Sequence, residues 1–264
     1  VTIEGDLNVG TNSYGVLNAN ADFVSGATVV VNTGGVLDLE GANYTFAAGG
    51  SYTGGGEIKF DGNTTRPGTT TFDIARFNFD GDTIFADIFT VNDGATATVN
   101  GSVTDGFDDN LVINGTLTIN DSWTNFNNVA LNTGTLGGTG VFTNAASLTV
   151  NAGDSAILSE SSFTAASTNT ITGTLRLRGD ATIAGGTWSG TGTLSLDDQL
   201  TTFTGSTTLN VRFNMDGLIN GTGTVNINSG VVVTANQGLT DGLNGTVNVN
   251  SGTLVVNAAP WLNL

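Results

Sequence analysis

Apolar and polar residues alternate along this chain in short runs of three or four, most of them closed by Asn or Gly, as in Leu117-Thr118-Ile119 and Val225-Asn226-Ile227. A period of two is the strand signature, because successive side chains of an extended backbone point to opposite faces. One unit recurs: a β-triplet, Asn-x-Gly, and a second β-triplet. Thr28-Val29-Val30-Val31-Asn32-Thr33-Gly34 leads into Val36-Leu37-Asp38-Leu39, and Phe89-Thr90-Val91-Asn92-Asp93-Gly94 leads into Ala97-Thr98-Val99. The form returns around Asn151 and Gly153, Asn228 and Gly230, and Asn250 and Gly252. Asn and Gly enter left-handed backbone conformations at least cost, so these five Asn-x-Gly sites are expected at one corner of a coil, where a strand bends onto the next face. Stacked corners would also let Asn side chains hydrogen-bond to the copies above and below.

The spacing of the units fits coils of roughly 20 to 22 residues with occasional insertions, so the chain predicts about twelve coils. The expected fold is all-β: one continuous parallel, right-handed β-helix or solenoid over residues 1–264. Asn63-Thr64-Thr65-Arg66-Pro67-Gly68 departs from the pattern, and 61–70 is expected to project as a loop. Gly54-Gly55-Gly56, Gly138-Thr139-Gly140, Gly190-Thr191-Gly192 and Gly221-Thr222-Gly223 each precede a strand and are expected to mark the other corner. An antiparallel sandwich competes, since Asn114-Gly115 between two β-runs has the form of a two-residue hairpin. Sandwich strands run longer than these triplets, which favours the solenoid. Alternation assigns the core to Val29, Val31, Leu37, Val91, Ile113, Leu148, Val150, Leu194, Val225, Ile227, Val247 and Val249.

Composition narrows the function. Six basic against 23 acidic residues give a formal charge of −17, which repels nucleic-acid phosphates and anionic lipid head groups. Neither nucleic acid nor membrane insertion is expected. Ser-His-Asp and Cys-His catalysis and the common zinc sites are excluded, because the chain has no His and no Cys. Absence of Cys also fits surface proteins that cross an outer membrane unfolded. Val1 opens directly into a strand-like segment, the pattern of a mature product or an excised segment.

Segments such as Gly190-Thr191-Gly192-Thr193-Leu194-Ser195-Leu196 and Asn244-Gly245-Thr246-Val247-Asn248-Val249-Asn250-Ser251-Gly252 resemble the strand repeats of bacterial autotransporter passengers and large haemagglutinin-like adhesins. The resemblance covers most of the chain and is compositional. It implies a secreted right-handed β-helix at the bacterial cell surface or in the extracellular matrix, serving adhesion, biofilm structure or fibre formation. It carries over no catalytic residue, and the membrane barrel that follows many passengers is not within these residues.

The leading expectation is a structural or adhesive protein, not an enzyme. The alternative is binding or cleavage of a polysaccharide. Asp108-Asp109 and Asp197-Asp198 could pair as glycosidase carboxylates, and Arg176 and Arg178 share a strand face that could grip an anionic sugar. Neighbours on a strand point to opposite faces, so solvated carboxylates and outward arginines offsetting acidity are the favoured readings. No cofactor is expected, with calcium the one candidate ion. Asp61, Asp80, Asp82, Asp93, Asp105, Asp108 and Asp109 gather oxygen ligands in turns, but without a twelve-residue calcium loop. Thr-x-Thr pairs at Thr96/Thr98, Thr116/Thr118, Thr191/Thr193 and Thr222/Thr224 suggest an ice-binding face; their unequal spacing favours ordinary outward threonines. Partners expected are further copies joined end to end, since neither end shows a helical or charged cap, or other surface components. A minimal cap by Trp261 and Leu262 is the alternative to that association.

Overall fold

The computed structural model describes every residue except 42, 67–70, 81–82, 86–88, 102, 105–109, 198, 237–243 and 258–264, with the backbone alone for 63–66, 71, 83–85 and 103–104. Alternation produces strands throughout, and no helix forms among the described residues. The chain divides into two compact units, Val1–Val129 and Ala130–Leu264. The fold is a parallel β-solenoid of about 11 turns. Sequence spacing predicts about one more; inserted corners lengthen some coils, so that Thr28 pairs with Ser51 where elsewhere Thr208 pairs with Asn226.

Among the described residues strands lie on three faces of the coil, the first two running together as one strand in Ser51–Phe60, Thr71–Phe79, Gly186–Leu196 and Ser206–Met215. In the first unit one coil is Thr28–Val31, Val36–Leu39 and Asn43–Phe46; in the second, one is Thr168–Ile171, Thr174–Leu177 and Ala181–Ile183. Each strand pairs in parallel with its counterpart one coil on: Leu37 with Ile58, Tyr44 with Thr64, Thr168 with Thr187, and Leu175 with Leu194. Asn114-Gly115 is a corner and not a hairpin, since Asn110–Ile113 and Thr116–Ile119 each run parallel to a strand of the coil before. The expected projecting loop is corrected in part. Asn63–Arg66 is a strand paired with Asn43–Phe46 and Thr83–Phe85, its β-branched threonines favouring extension over the loop suggested by the Pro-Gly that follows.

The glycine triplets do not mark one corner. Gly54–56 and Gly190–192 lie between the first and second strands of their coils, the same place as the Asn-x-Gly turns, whereas Gly138–140 and Gly221–223 occupy the other two corners. What they share is close backbone approach. Gly54, Gly190 and Gly221 have φ of 127°, 121° and 118°, and a Cβ there would lie 2.1, 2.0 and 1.9 Å from the carbonyl oxygens of Val31, Ile171 and Phe203 one coil earlier.

Inward positions build a largely apolar core in each unit. Val29, Val31, Val91, Ile113, Leu148, Val150, Leu194, Val225 and Ile227 are fully buried, and Leu37 nearly so. Val249, expected inside, is 46% exposed, and Val247 is half-buried. Their strand, Thr246–Val249, pairs with Thr224–Ile227, and among the described residues no strand covers its other side. Aromatic rings stack between coils, as Phe23 on Phe46 at 4.7 Å and Phe60 on Phe79 at 5.2 Å in the first unit.

The two units are built on one plan. Gly54, Asp61, Asp80, Asn92 and Asn100 recur at a constant offset as Gly190, Asp197, Asp216, Asn228 and Asn236. Arg76-Phe77-Asn78-Phe79-Asp80 returns as Arg212-Phe213-Asn214-Met215-Asp216, and Leu37-Asp38-Leu39-Glu40-Gly41 as Leu175-Arg176-Leu177-Arg178-Gly179. Apolar residues keep the same inward places, while the charges at two outward places reverse sign.

Candidate functional site

Corners come first, because they fix what faces outward. Asn32, Asn92, Asn151, Asn228 and Asn250 each follow the first strand of a coil. Gly34, Gly94, Gly153 and Gly230 then take φ of 75°, 75°, 92° and 79°; at the fifth corner Ser251 (60°) makes the left-handed turn in place of Gly252. The Asn32 amide donates to Asn8 Oδ1 at 2.8 Å and to the Val9 carbonyl at 2.9 Å. Asn92 donates to the Phe72 carbonyl and to Asp73. In the second unit Asn151 donates to Asn132 and Asn228 to Asn210, both at 2.8 Å, and Asn250 reaches Asn228 at 3.4 Å.

Between corners, outward side chains stack into columns. In the first unit Thr96 and Thr98 stand directly beside Thr116 and Thr118. In the second unit one column runs Ser147, Thr168, Thr187, Thr208, Asn226 and Asn248, and the next runs Thr149, Thr170, Ser189 and Asn210. Constant register therefore exists where the linear spacing concealed it, since corner insertions absorb the unequal steps. Thr191 and Thr222 lie in glycine corners and belong to no such array. The columns are not a uniform hydroxyl lattice: they pass into Asn side chains that bond one another, as Asn248 to Asn226 at 2.8 Å.

Among the described residues no exposed Trp stands on these faces. Trp123, Trp188, Tyr44 and Tyr52 are buried, and Trp261 lies outside the described residues; Tyr14 and Phe126 are exposed. Two polar residues occupy inward positions, on the same strand faces as Phe142 and Ile171: Asn144 and Asn169 are fully buried and joined by a 2.9 Å hydrogen bond.

The charged residues gather at the end of each coil's second strand. In the first unit the backbone register aligns Glu40, Asp61, Asp80, Asn100 and Asn120. Asp38, two residues before Glu40 and at an outward position, is nevertheless only 1% exposed, covered by the Tyr14 hydroxyl that donates to its Oδ2 and by Lys59 Nζ at 3.1 Å. Lys59 also lies 3.7 Å from Asp61 and 3.8 Å from Asp80. Burial works against the Lys59 charge, but the hydrogen bond and charge of Asp38, with Asp61, outweigh it and hold the ammonium pKa above its usual range. Asp61 is pushed up by burial first and then by the charge of Asp38, with Lys59 opposing. Tyr14 is raised chiefly by its hydrogen bond to Asp38.

In the second unit the corresponding column is Arg178, Asp197, Asp216, Asn236 and Asn257. Arg176 Nε donates to Asp197 Oδ2 at 2.7 Å, Arg178 approaches the same oxygen at 3.9 Å, and the Ser195 hydroxyl donates to Asp197 Oδ1 at 2.7 Å. Arg176 and Arg178 thus neutralise a buried carboxylate of their own chain. Asp197 is held in this network and Asp198 lies outside the described residues.

Of the seven calcium candidates, Asp61 and Asp80 come together around Lys59, whereas Asp93 sits in a separate exposed turn. Asp82, Asp105, Asp108 and Asp109 lie outside the described residues. Sequence reasoning missed Asp38 and Glu40, whose oxygens lie within 4.8 Å of an Asp61 oxygen. The signal was in the register: Asp38 stands beside Lys59, and Glu40 is followed one coil later by Asp61.

The chain matches no family model, no curated protein and no solved structure.

Proposed function

We propose that this chain is a structural and adhesive β-solenoid of an extracellular surface or matrix, with no catalytic role. The observation that carries the reading is the division of side chains. Bulky aromatics fill the interior, and the outer faces present in-register columns of Ser, Thr and Asn. Such a surface offers many weak, equivalent polar contacts over a rigid sheet, which suits adhesion and self-association better than the recognition of one small molecule in a pocket. Net charge of −17 keeps the material soluble and turned away from anionic membranes. Resemblance to autotransporter passengers and haemagglutinin-like adhesins supports the same reading.

Beads coated with the chain test it against the polysaccharide alternative. They are expected to clump with one another, or to hold to a polysaccharide matrix, without releasing new reducing sugar ends. Soluble oligosaccharide products would overturn the non-catalytic reading. Beads that neither clump nor hold would overturn the adhesive one.

A further inference from the structure

The polar cluster of the first unit is unbalanced. One ammonium, Lys59, serves the carboxylates of Asp38, Asp61 and Asp80, and Glu40 adds a fourth carboxylate beside them. Asp38 is the decisive member. It is 1% exposed; its Oδ2 accepts from Tyr14 and Lys59, while its Oδ1 is buried with no hydrogen-bond partner. A buried carboxylate oxygen left without a partner is costly, and a bound ion is one of the few groups that satisfies it. The spacing admits one. Oxygens of Asp38, Glu40 and Asp61 lie within 4.8 Å of one another. Oxygens bound to a single calcium ion at about 2.3 to 2.6 Å fall within that separation.

The second unit supplies an independent observation. Where the first unit has Asp38 and Glu40, the second has Arg176 and Arg178, and their guanidinium groups are drawn to Asp197, the counterpart of Asp61. The shared plan therefore places positive charge at this point. The second copy provides it with two arginines; the first has acids at those two places and a single lysine, Lys59, where the second has Ser195.

We propose that Asp38, Glu40 and Asp61 bind one hard divalent cation of the calcium type. Lys59 keeps its contact with Asp80 and limits the repulsion among the carboxylates before the ion enters. The ion then adds to Lys59 the positive charge that two arginines provide in the second unit, and it ties together neighbouring coils through Asp38 and Glu40 on one and Asp61 on the next. This role is independent of what the outer faces touch.

Calorimetric titration of the chelator-treated full chain with calcium chloride, paired with thermal unfolding, tests the proposal. One site is expected, with a higher melting temperature in calcium. Glu40→Gln and Asp61→Asn should each bind at least about tenfold more weakly and lose most of the thermal shift. Asp93→Asn, in a separate turn, should behave as the original chain. Glu40→Arg, which copies the second unit, should fold without calcium and no longer respond to it. Absence of both heat and thermal shift in the original chain would overturn the proposal. Calcium binding that survives unchanged in Glu40→Gln and Asp61→Asn would overturn it too, by placing the ion elsewhere.

Discussion

At the scale of single residues, burial and charge are in conflict at a few positions, and Asp154 is the simplest. Its side chain lies in a corner, 7% exposed, with Oδ2 buried and no hydrogen-bond partner. Burial raises its pKa above 3.8. The sign follows directly. Below about pH 3.8 the group is protonated both folded and unfolded and costs nothing; as pH rises from there to the raised folded value, the unfolded chain ionises while the folded one holds its proton, so stability is lost over that window and stays lost above it. Asp154→Asn should therefore melt higher than the original chain at pH 7, with the gain vanishing near pH 3. An equal gain at both pH values would contradict the assignment. Alternation made most inward residues legible, because Val, Ile, Leu and Phe alternate with Thr, Asn and Ser. It could not reveal Asp38, an outward residue buried by Tyr14 and Lys59 from neighbouring coils, nor that Asn144 and Asn169, polar residues at inward positions, bond each other across 25 residues of sequence.

At the scale of the corner and the strand, the Asn-x-Gly motif carries its own physical explanation: Asn reaches the coil before it, and the following Gly supplies the left-handed turn. The glycine triplets were harder to place, because local sequence says that Gly is needed and not which corner needs it. Close approach decides. Gly190 combines φ of 121° with a carbonyl oxygen 2.0 Å from where a Cβ would stand, and the atom in the way is backbone. Gly190→Ala should cost about 2 kcal/mol or more, read as a lower midpoint in chemical denaturation. Gly94, which has positive φ but open space around a Cβ, should tolerate the same change better. Equal losses at the two sites would show that contact with the preceding coil is not the cause. The candidate charged site followed the same logic. Asp61 and Asp80 could be picked out as acids in turns, but their shared neighbours Asp38, Glu40 and Lys59 come together through the coil register alone.

At the scale of the whole molecule, everything rests on parallel register: the stacked core, the Asn ladders, the outward columns and the charged clusters all require residue-by-residue alignment of successive coils. The absence of Cys from the chain makes that register directly measurable. Thr187 and Thr208 are partners on adjacent coils, and Asn226 is the next partner after Thr208. Adjacent parallel strands lie about 4.8 Å apart, inside the Cα separation that a disulfide accepts, whereas two coils span about 9.6 Å and lie outside it. Mild oxidation of the double variant Thr187→Cys/Thr208→Cys should give an intramolecular disulfide, found by mass spectrometry of the digested chain, while Thr187→Cys/Asn226→Cys should remain reduced under the same conditions. Failure of the first pair to close, or closure of both with equal ease, would contradict the parallel solenoid.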